Sequence, residues 1–128
     1  MRNGELASLR AQWVSQARGE VLEIGIGSGL NLHFYSADVR RVRGLDPSLQ
    51  LERMARARAK LVGFPIEFLT QSAEAVLPIA DASIDTVVVT WTLCSVSDPI
   101  FVLRNAKGVL KPEGRLIFLE HGRHLLLL

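Results

Sequence analysis

The chain has 128 residues, 48% of them hydrophobic and 22% charged, and a formal net charge of +2. That is apolar material enough for the core of one globular domain, with no stretch of disordered composition. Much of the basic excess sits in "ERMARARAKL", where no aromatic residue interleaves the charges, so it reads as a solvated helix face and not as a nucleic-acid groove. A lone cysteine, Cys94, excludes an internal disulfide framework and suits a reducing, cytoplasmic setting. No metal-ligating cluster stands out. "MRNGELASLR" lacks the apolar stretch of a signal peptide, and no apolar run is long enough to span a membrane.

Leu6, Leu9, Trp13 and Ala17 recur at helical spacing, which predicts an amphipathic helix over residues 4–18. The first strand, "EVLEIG", runs into Gly25, Gly27 and Gly29, which turn the chain into a short second helix. "VRRVRGLD" is the next strand, closing on Asp46 and Pro47. A helix from about Ser48 to Val62 follows, with Leu51, Met54, Ala55, Arg58, Leu61 and Val62 as its inner stripe and Gly63 as its stop. "IEFLT" is a third strand. "IDTVVVT" is β-branched and apolar on both faces, the pattern of a central parallel strand. Asp98 and Pro99 read as an N-cap and first-turn proline for a helix that turns Ile100, Leu103, Ala106 and Leu110 inward. "KPEGR" is the turn out of it, and "RLIFLEH" is the fifth strand.

Alternating strands and helices, without repeats or linkers, predict an α/β domain built on an open parallel sheet with helices on both faces. Ligands bind such sheets at the carboxyl ends of the strands. Five segments fall there and should ring one cleft: the Gly25–Gly29 loop, Asp46, "QSAE" at residues 71–74, "WTLCS" at 91–95, and Glu120 with His121. A dinucleotide fingerprint requires a glycine where this loop has Leu30. Glu23, expected at the lip of the loop, would oppose a pyrophosphate by ~1 to 4 kcal/mol depending on local dielectric, and would favour a cationic ligand.

Glu23-x-Gly25-x-Gly27-x-Gly29 followed by Asp46 resembles the cofactor loop of class I S-adenosylmethionine-dependent methyltransferases. "QSAEAVLPIADASIDTVVVTWTLCSVSDP" and "LKPEGRLIFLEHG" extend the resemblance from Val21 to Gly122. The pattern is similar to the branch containing ubiquinone/menaquinone-biosynthesis C-methyltransferases and, through "TLCSV" and "EHG", methyltransferase-like thiol methyltransferases. The resemblance implies strand order 3-2-1-4-5, a Rossmann-like sheet without the family's usual sixth and seventh strands, and S-adenosyl-L-methionine as cofactor, with S-adenosyl-L-homocysteine as product. It implies that Glu23 and the loop backbone (Gly25, Ile26, Gly27, Gly29) hold the methionine end. Asp46, beside Pro47, would take the ribose hydroxyls; the backbone around Ser72 and Ala73, with Glu74 beside them, would meet the adenine edge, and Thr90, Trp91 and Leu93 would line the floor. Relatives often carry an acid where Ser72 stands. A glycine turn used only for tight packing, and an Asp46 that merely caps the next helix, are the plainer alternatives.

Methyl transfer requires no protein nucleophile. A base is needed only if the small-molecule acceptor must first lose a proton, and His121 is the expected candidate; His33 is expected at the surface and Cys94 in packing. An unprotected fifth strand invites pairing. Each leucine of the terminal "LLLL" contributes ~1.5 to 3 kcal/mol when buried, against ~4 to 15 kcal/mol for association. The expectation is a homodimer at that edge, or an extra strand supplied by the tail, unless the tail is an accident of a shortened gene. The rival functional readings are a cofactor-binding pseudo-enzyme or assembly module and, less favoured, a nicotinamide dehydrogenase.

Overall fold

The computed structural model describes residues 3–92, 95–120 and 123–127, with Asn3 and residues 123–127 as backbone only. Nine helices and strands organise it: α1 (Asn3–Trp13), β1 (Gly19–Ile24), β2 (Val39–Leu45), α2 (Leu49–Ala59), β3 (Ile66–Leu69), β4 (Ile84–Thr90), α3 (Pro99–Val109), β5 (Leu110–Glu120) and β6 (Arg123–Leu127). The strands form one sheet in the order β3-β2-β1-β4-β5-β6, and the first five are parallel, as expected. Of the two arrangements expected at the β5 edge, the extra strand is present: β6 pairs antiparallel with β5, Leu116 opposite Leu127 through Glu120 opposite Arg123.

The core follows from the period-two alternation of strands. On β1, Leu22 and Ile24 join Leu45, Val87, Val89 and α3 on one face, whereas Val21 joins Val42, Val88 and the residues of α1 on the other. Glu23 shares the parity of Val21, so it points to the α1 side. Val87, Val88 and Val89 are wholly buried, which fits the central strand expected at "IDTVVVT".

The helices lie where expected but present different stripes. α1 ends at Trp13 and continues as a 3-10 turn, Val14–Gln16, with Leu9 and Trp13 against the core. α2 is capped by the Ser48 hydroxyl, which accepts from the Leu51 amide at 3.1 Å, and it stops at Ala59, short of Gly63. Its inner contact is Ala55, fully buried; Leu51, Met54 and Leu61 are 36%, 47% and 86% exposed, contrary to the expected stripe. The cause is close approach: a Cβ at Gly29 would lie 3.1 Å from the Ala55 Cα, so only small side chains fit between loop and helix. On α3, Asp98 caps as expected, accepting from Phe101 N at 3.1 Å. Of the expected row Ala106 is buried and Leu110 packs on the same core, but Val102 and Val109 complete the buried face and Ile100 is 63% exposed.

Two connections also differ. The short helix expected after the glycine loop is a single 3-10 turn, Leu32–Phe34. Its flanking anchors Leu32 and Tyr35, both buried, stand three residues apart, the spacing that a 3-10 turn eclipses. "KPEGR" is a bulge within β5: Leu110 pairs with Ile84 and Arg115 with Thr86, leaving Lys111–Gly114 looped out.

Candidate functional site

The ends of β1, β2 and β4 create two cavities that share Gly25. One, of about 250 Å³, is lined by Glu23, Gly25, Ile26, Gly27, Thr90 and Trp91, together with Arg10 and Asn31. The other, of about 260 Å³, is lined by Asp46, Pro47, Ser72, Ala73, Glu74 and Thr92. The expected site residues are thus gathered at two adjoining hollows, apart from three. Gly29 packs on Ala55, while Leu93 and the expected catalytic His121, like Cys94, lie outside the described residues. His33 is exposed.

Glu23 does not sit on the lip. It is 1% exposed, at the bottom of the first hollow, because α1 and the segment carrying Asn31 and Tyr35 roof that face of β1. The Tyr35 hydroxyl donates to Glu23 Oε1 at 2.6 Å, and Asn31 Nδ2 donates to Glu23 Oε2 at 3.1 Å and to Thr90 Oγ1 at 3.0 Å. Burial pushes the Glu23 pKa up to about 7, against the opposing hydrogen bonds from Tyr35 and Asn31 and the Arg10 charge. Burial, then the neighbouring carboxylate, pushes the Tyr35 hydroxyl well above its ordinary range. Near neutrality Glu23 is therefore poised between its two forms, and a cation in the hollow would select the charged one.

The loop is built to be anchored, not to hold phosphate. Gly25 and Ile26 both donate to Leu45 O, at 2.8 and 3.0 Å; Gly27 donates to Asp46 Oδ2 at 3.1 Å, and Gly29 to Ile26 O at 3.0 Å. Amides that would cradle a pyrophosphate are committed inside the fold. Gly27, at φ +55°, would place a Cβ in open space, 4.0 Å from the Gly25 carbonyl oxygen, so a ligand can approach the backbone there and meet an acceptor. This room, with Glu23 beneath, fits the cationic end of a ligand.

In the second hollow Asp46 Oδ1 accepts from Ser48 N at 2.9 Å while Oδ2 holds Gly27. The cap of α2 is Ser48, so Asp46 acts as a latch between the loop and the helix start, with its remaining lone pairs available to hydroxyls. Glu74 lines this hollow beside Ser72 and Ala73. Its carboxylate accepts from Ser97 N at 2.5 Å and from Ser97 Oγ, tying the residues before α3, and that backbone bond is the main reason its pKa is lowered. The Ser72 hydroxyl accepts from Glu74 N at 3.0 Å.

Sequence reasoning missed Arg10, Asn31 and Tyr35. For Arg10 a signal existed: it lies four residues after Leu6 and three before Trp13, a charge on the apolar stripe of its helix. Trp91 adopts φ +48°, a strained conformation for a bulky residue and a recurrent mark of binding sites. Its amide donates to Leu119 O at 2.7 Å, and its buried indole Nε1 has no acceptor among the described residues.

Gly25 tests the geometry. At φ +75° its Cβ would overlap the Thr92 side chain, so Gly25→Ala should cost about 2 to 4 kcal/mol in urea unfolding. Adding Thr92→Ala should recover the steric part. Gly27→Ala should cost only about 1 kcal/mol, yet its methyl should obstruct the ligand; equal losses at the two positions would refute this placement.

A parallel sheet in this order, with a glycine loop after β1 and an acid ending β2, is the class I S-adenosylmethionine-dependent methyltransferase fold. A profile of the methyltransferase domain matches residues 22–118, and the chain belongs to that family. Human thiol S-methyltransferase TMT1B is 35% identical over 93% of this chain, which covers 52% of that protein. Phosphatidylethanolamine N-methyltransferase of Cereibacter sphaeroides is 32% identical over 87% of the chain, which covers 55% of it. Among solved structures, the YcgJ protein of Bacillus subtilis superposes with a TM-score of 0.75 at 27% identity, covering 91% of this chain and 50% of that one. The chain thus spans about half the length of these relatives.

Proposed function

We propose that the chain binds S-adenosyl-L-methionine and transfers its methyl group to a small-molecule acceptor, a thiol or a quinol-like compound. The observation that carries this reading is the pair of adjoining hollows, one over buried Glu23 and one beside Asp46, joined at Gly25. Such a site suits a ligand with a cationic end and a hydroxylated end. When bound, the cofactor supplies a methyl group on a sulfonium whose sulfur departs as a neutral thioether.

The residues of the chain then have holding and aligning roles. Glu23 balances positive charge, Asp46 accepts from hydroxyls in charge-assisted bonds, and Trp91 with Thr90 walls off water. Alignment alone can lower the barrier by roughly 7 to 11 kcal/mol in favourable cases. His121, which follows Glu120 in the sequence, is proposed as the base for an acceptor that must lose a proton. The names of the relatives support a methyl acceptor without fixing its atom, since a thiol sulfur and a phosphatidylethanolamine nitrogen occur at similar identity.

Titration calorimetry with S-adenosylhomocysteine and NAD, followed by transfer of labelled methyl to thiols, quinols and phenols, tests the proposal. Binding of the first ligand alone, with transfer to a thiol or quinol, is expected. Binding without transfer to any acceptor would instead support a cofactor-binding module, and binding of NAD alone would overturn both.

A further inference from the structure

α2 carries outward what a surface helix ordinarily turns inward. Ala55 is its fully buried contact, and Arg53, Met54, Arg56, Ala57, Lys60 and Leu61, the last two in the turn that closes the helix, are all exposed. This face divides lengthwise. Met54, Ala57 and Leu61 follow one another at intervals of three and four residues and form an apolar strip; Arg53, Arg56 and Lys60 keep the same intervals one residue earlier and form a basic strip beside it. The acid of the helix is withdrawn, since Glu52 is bonded to Arg56 and Thr70. Arg56 also lies over the Phe68 ring, 4.6 Å from its centroid, whereas no ion pair among the described residues engages Arg53 or Lys60. Leu61 further lines a cavity of about 420 Å³ with Leu32, Val39, Val62 and Phe64, so the apolar surface continues past the helix end.

A partner for this face must take up exposed aliphatic groups and supply negative charge alongside them. An anionic bilayer does both, its acyl boundary receiving an apolar strip and its headgroups meeting the cations that flank it. A bilayer also yields to a convex helix, where a protein partner must bring a groove shaped to it. Nucleic acid supplies phosphates but nothing for Met54 and Leu61, and α2 carries no aromatic side chain on which bases could stack. We propose that the outer face of α2 seats the protein on an anionic lipid bilayer, with Met54 and Leu61 entering the interface and Arg53 and Lys60 resting on the headgroups. None of these four side chains lines either hollow, so seating and cofactor binding are separable.

Co-sedimentation with phosphatidylcholine vesicles, prepared with and without phosphatidylserine, tests this seating. The parent protein should bind the phosphatidylserine vesicles at least about tenfold more tightly, and added salt should weaken that binding. Each cation near such a surface contributes about fivefold, so Arg53→Gln combined with Lys60→Gln should weaken it about 25-fold. Met54→Ser combined with Leu61→Ser should weaken it at least about tenfold, at low and high salt alike. All four side chains are exposed, so both double variants should keep the circular dichroism and the urea-unfolding midpoint of the parent. Failure to pellet with phosphatidylserine vesicles, equal pelleting with both vesicle types, or either double variant binding like the parent would overturn the assignment. So would binding to duplex DNA without binding to vesicles, which would make the face a phosphate-backbone contact.

Discussion

Glu23→Gln is expected to stabilise the protein at pH 8 while weakening its hold on S-adenosylhomocysteine. The Glu23 pKa stands at about 7 in the folded chain, above the ordinary 4.5. Below pH 4.5 both folded and unfolded chains hold the proton, and the stability associated with it is complete. Between 4.5 and about 7 the unfolded chain releases the proton first, so stability falls as pH rises, and above 7 the loss levels off. A shift of this size corresponds to about 3 kcal/mol. Glutamine has no such titration, and its amide can meet Asn31 with its oxygen and Tyr35 with its nitrogen. Urea unfolding at pH 5 and pH 8 should show the difference in stability between parent and variant growing with pH in favour of the variant.

Binding should move the other way. A positively charged amino group in the hollow favours ionised Glu23, so the affinity of the parent should rise between pH 6 and pH 8. The variant should bind at least about tenfold more weakly at pH 8, the lower part of a Coulomb interaction of ~1 to 4 kcal/mol, and should lose that pH dependence. An unchanged affinity at pH 8 would contradict electrostatic selection by Glu23.

The second large effect is expected at Asp46. Removing its carboxylate by Asp46→Ala deprives ligand hydroxyls of acceptors and frees the Gly27 and Ser48 amides. Charge-assisted bonds contribute about 1.5 to 3 kcal/mol each, so S-adenosylhomocysteine affinity should fall about a hundredfold or more. The cleaner readout is a double comparison with the 2′-deoxy form of the ligand. The parent should prefer the hydroxylated form, and Asp46→Ala should bind the two alike. A preference that survives in the variant would place the hydroxyl contact elsewhere.

The central strand and the start of α3 were legible because they depend on strong local signals, whereas the strand order was implied by the family resemblance. "IDTVVVT" is apolar on both faces and so must be central, and Asp98 with Pro99 begins a helix by chemistry that needs no tertiary partner. The helix stripes were less legible: close packing at Gly29 makes Ala55 the contact residue of α2 and pushes larger neighbours outward. Glu23 was recognised as decisive, but its depth was not, since a residue near a strand end is a rim or a floor depending on what roofs it. Here the roof comes from Arg10, Asn31 and Tyr35, residues distant in sequence or unremarkable in pattern. Glu74 shows the reverse: its position was foreseen, and its carboxylate is engaged by Ser97, which sequence spacing does not reveal.

The anchoring of the glycine loop has a consequence for the thermodynamics of recognition. Ile26 lies over Gly44, where a Cβ would overlap its side chain, and the loop amides are already tied to the end of β2. Little freedom remains for an incoming metabolite to quench, so the socket is shaped before occupancy and the entropic toll of ordering falls chiefly on the guest.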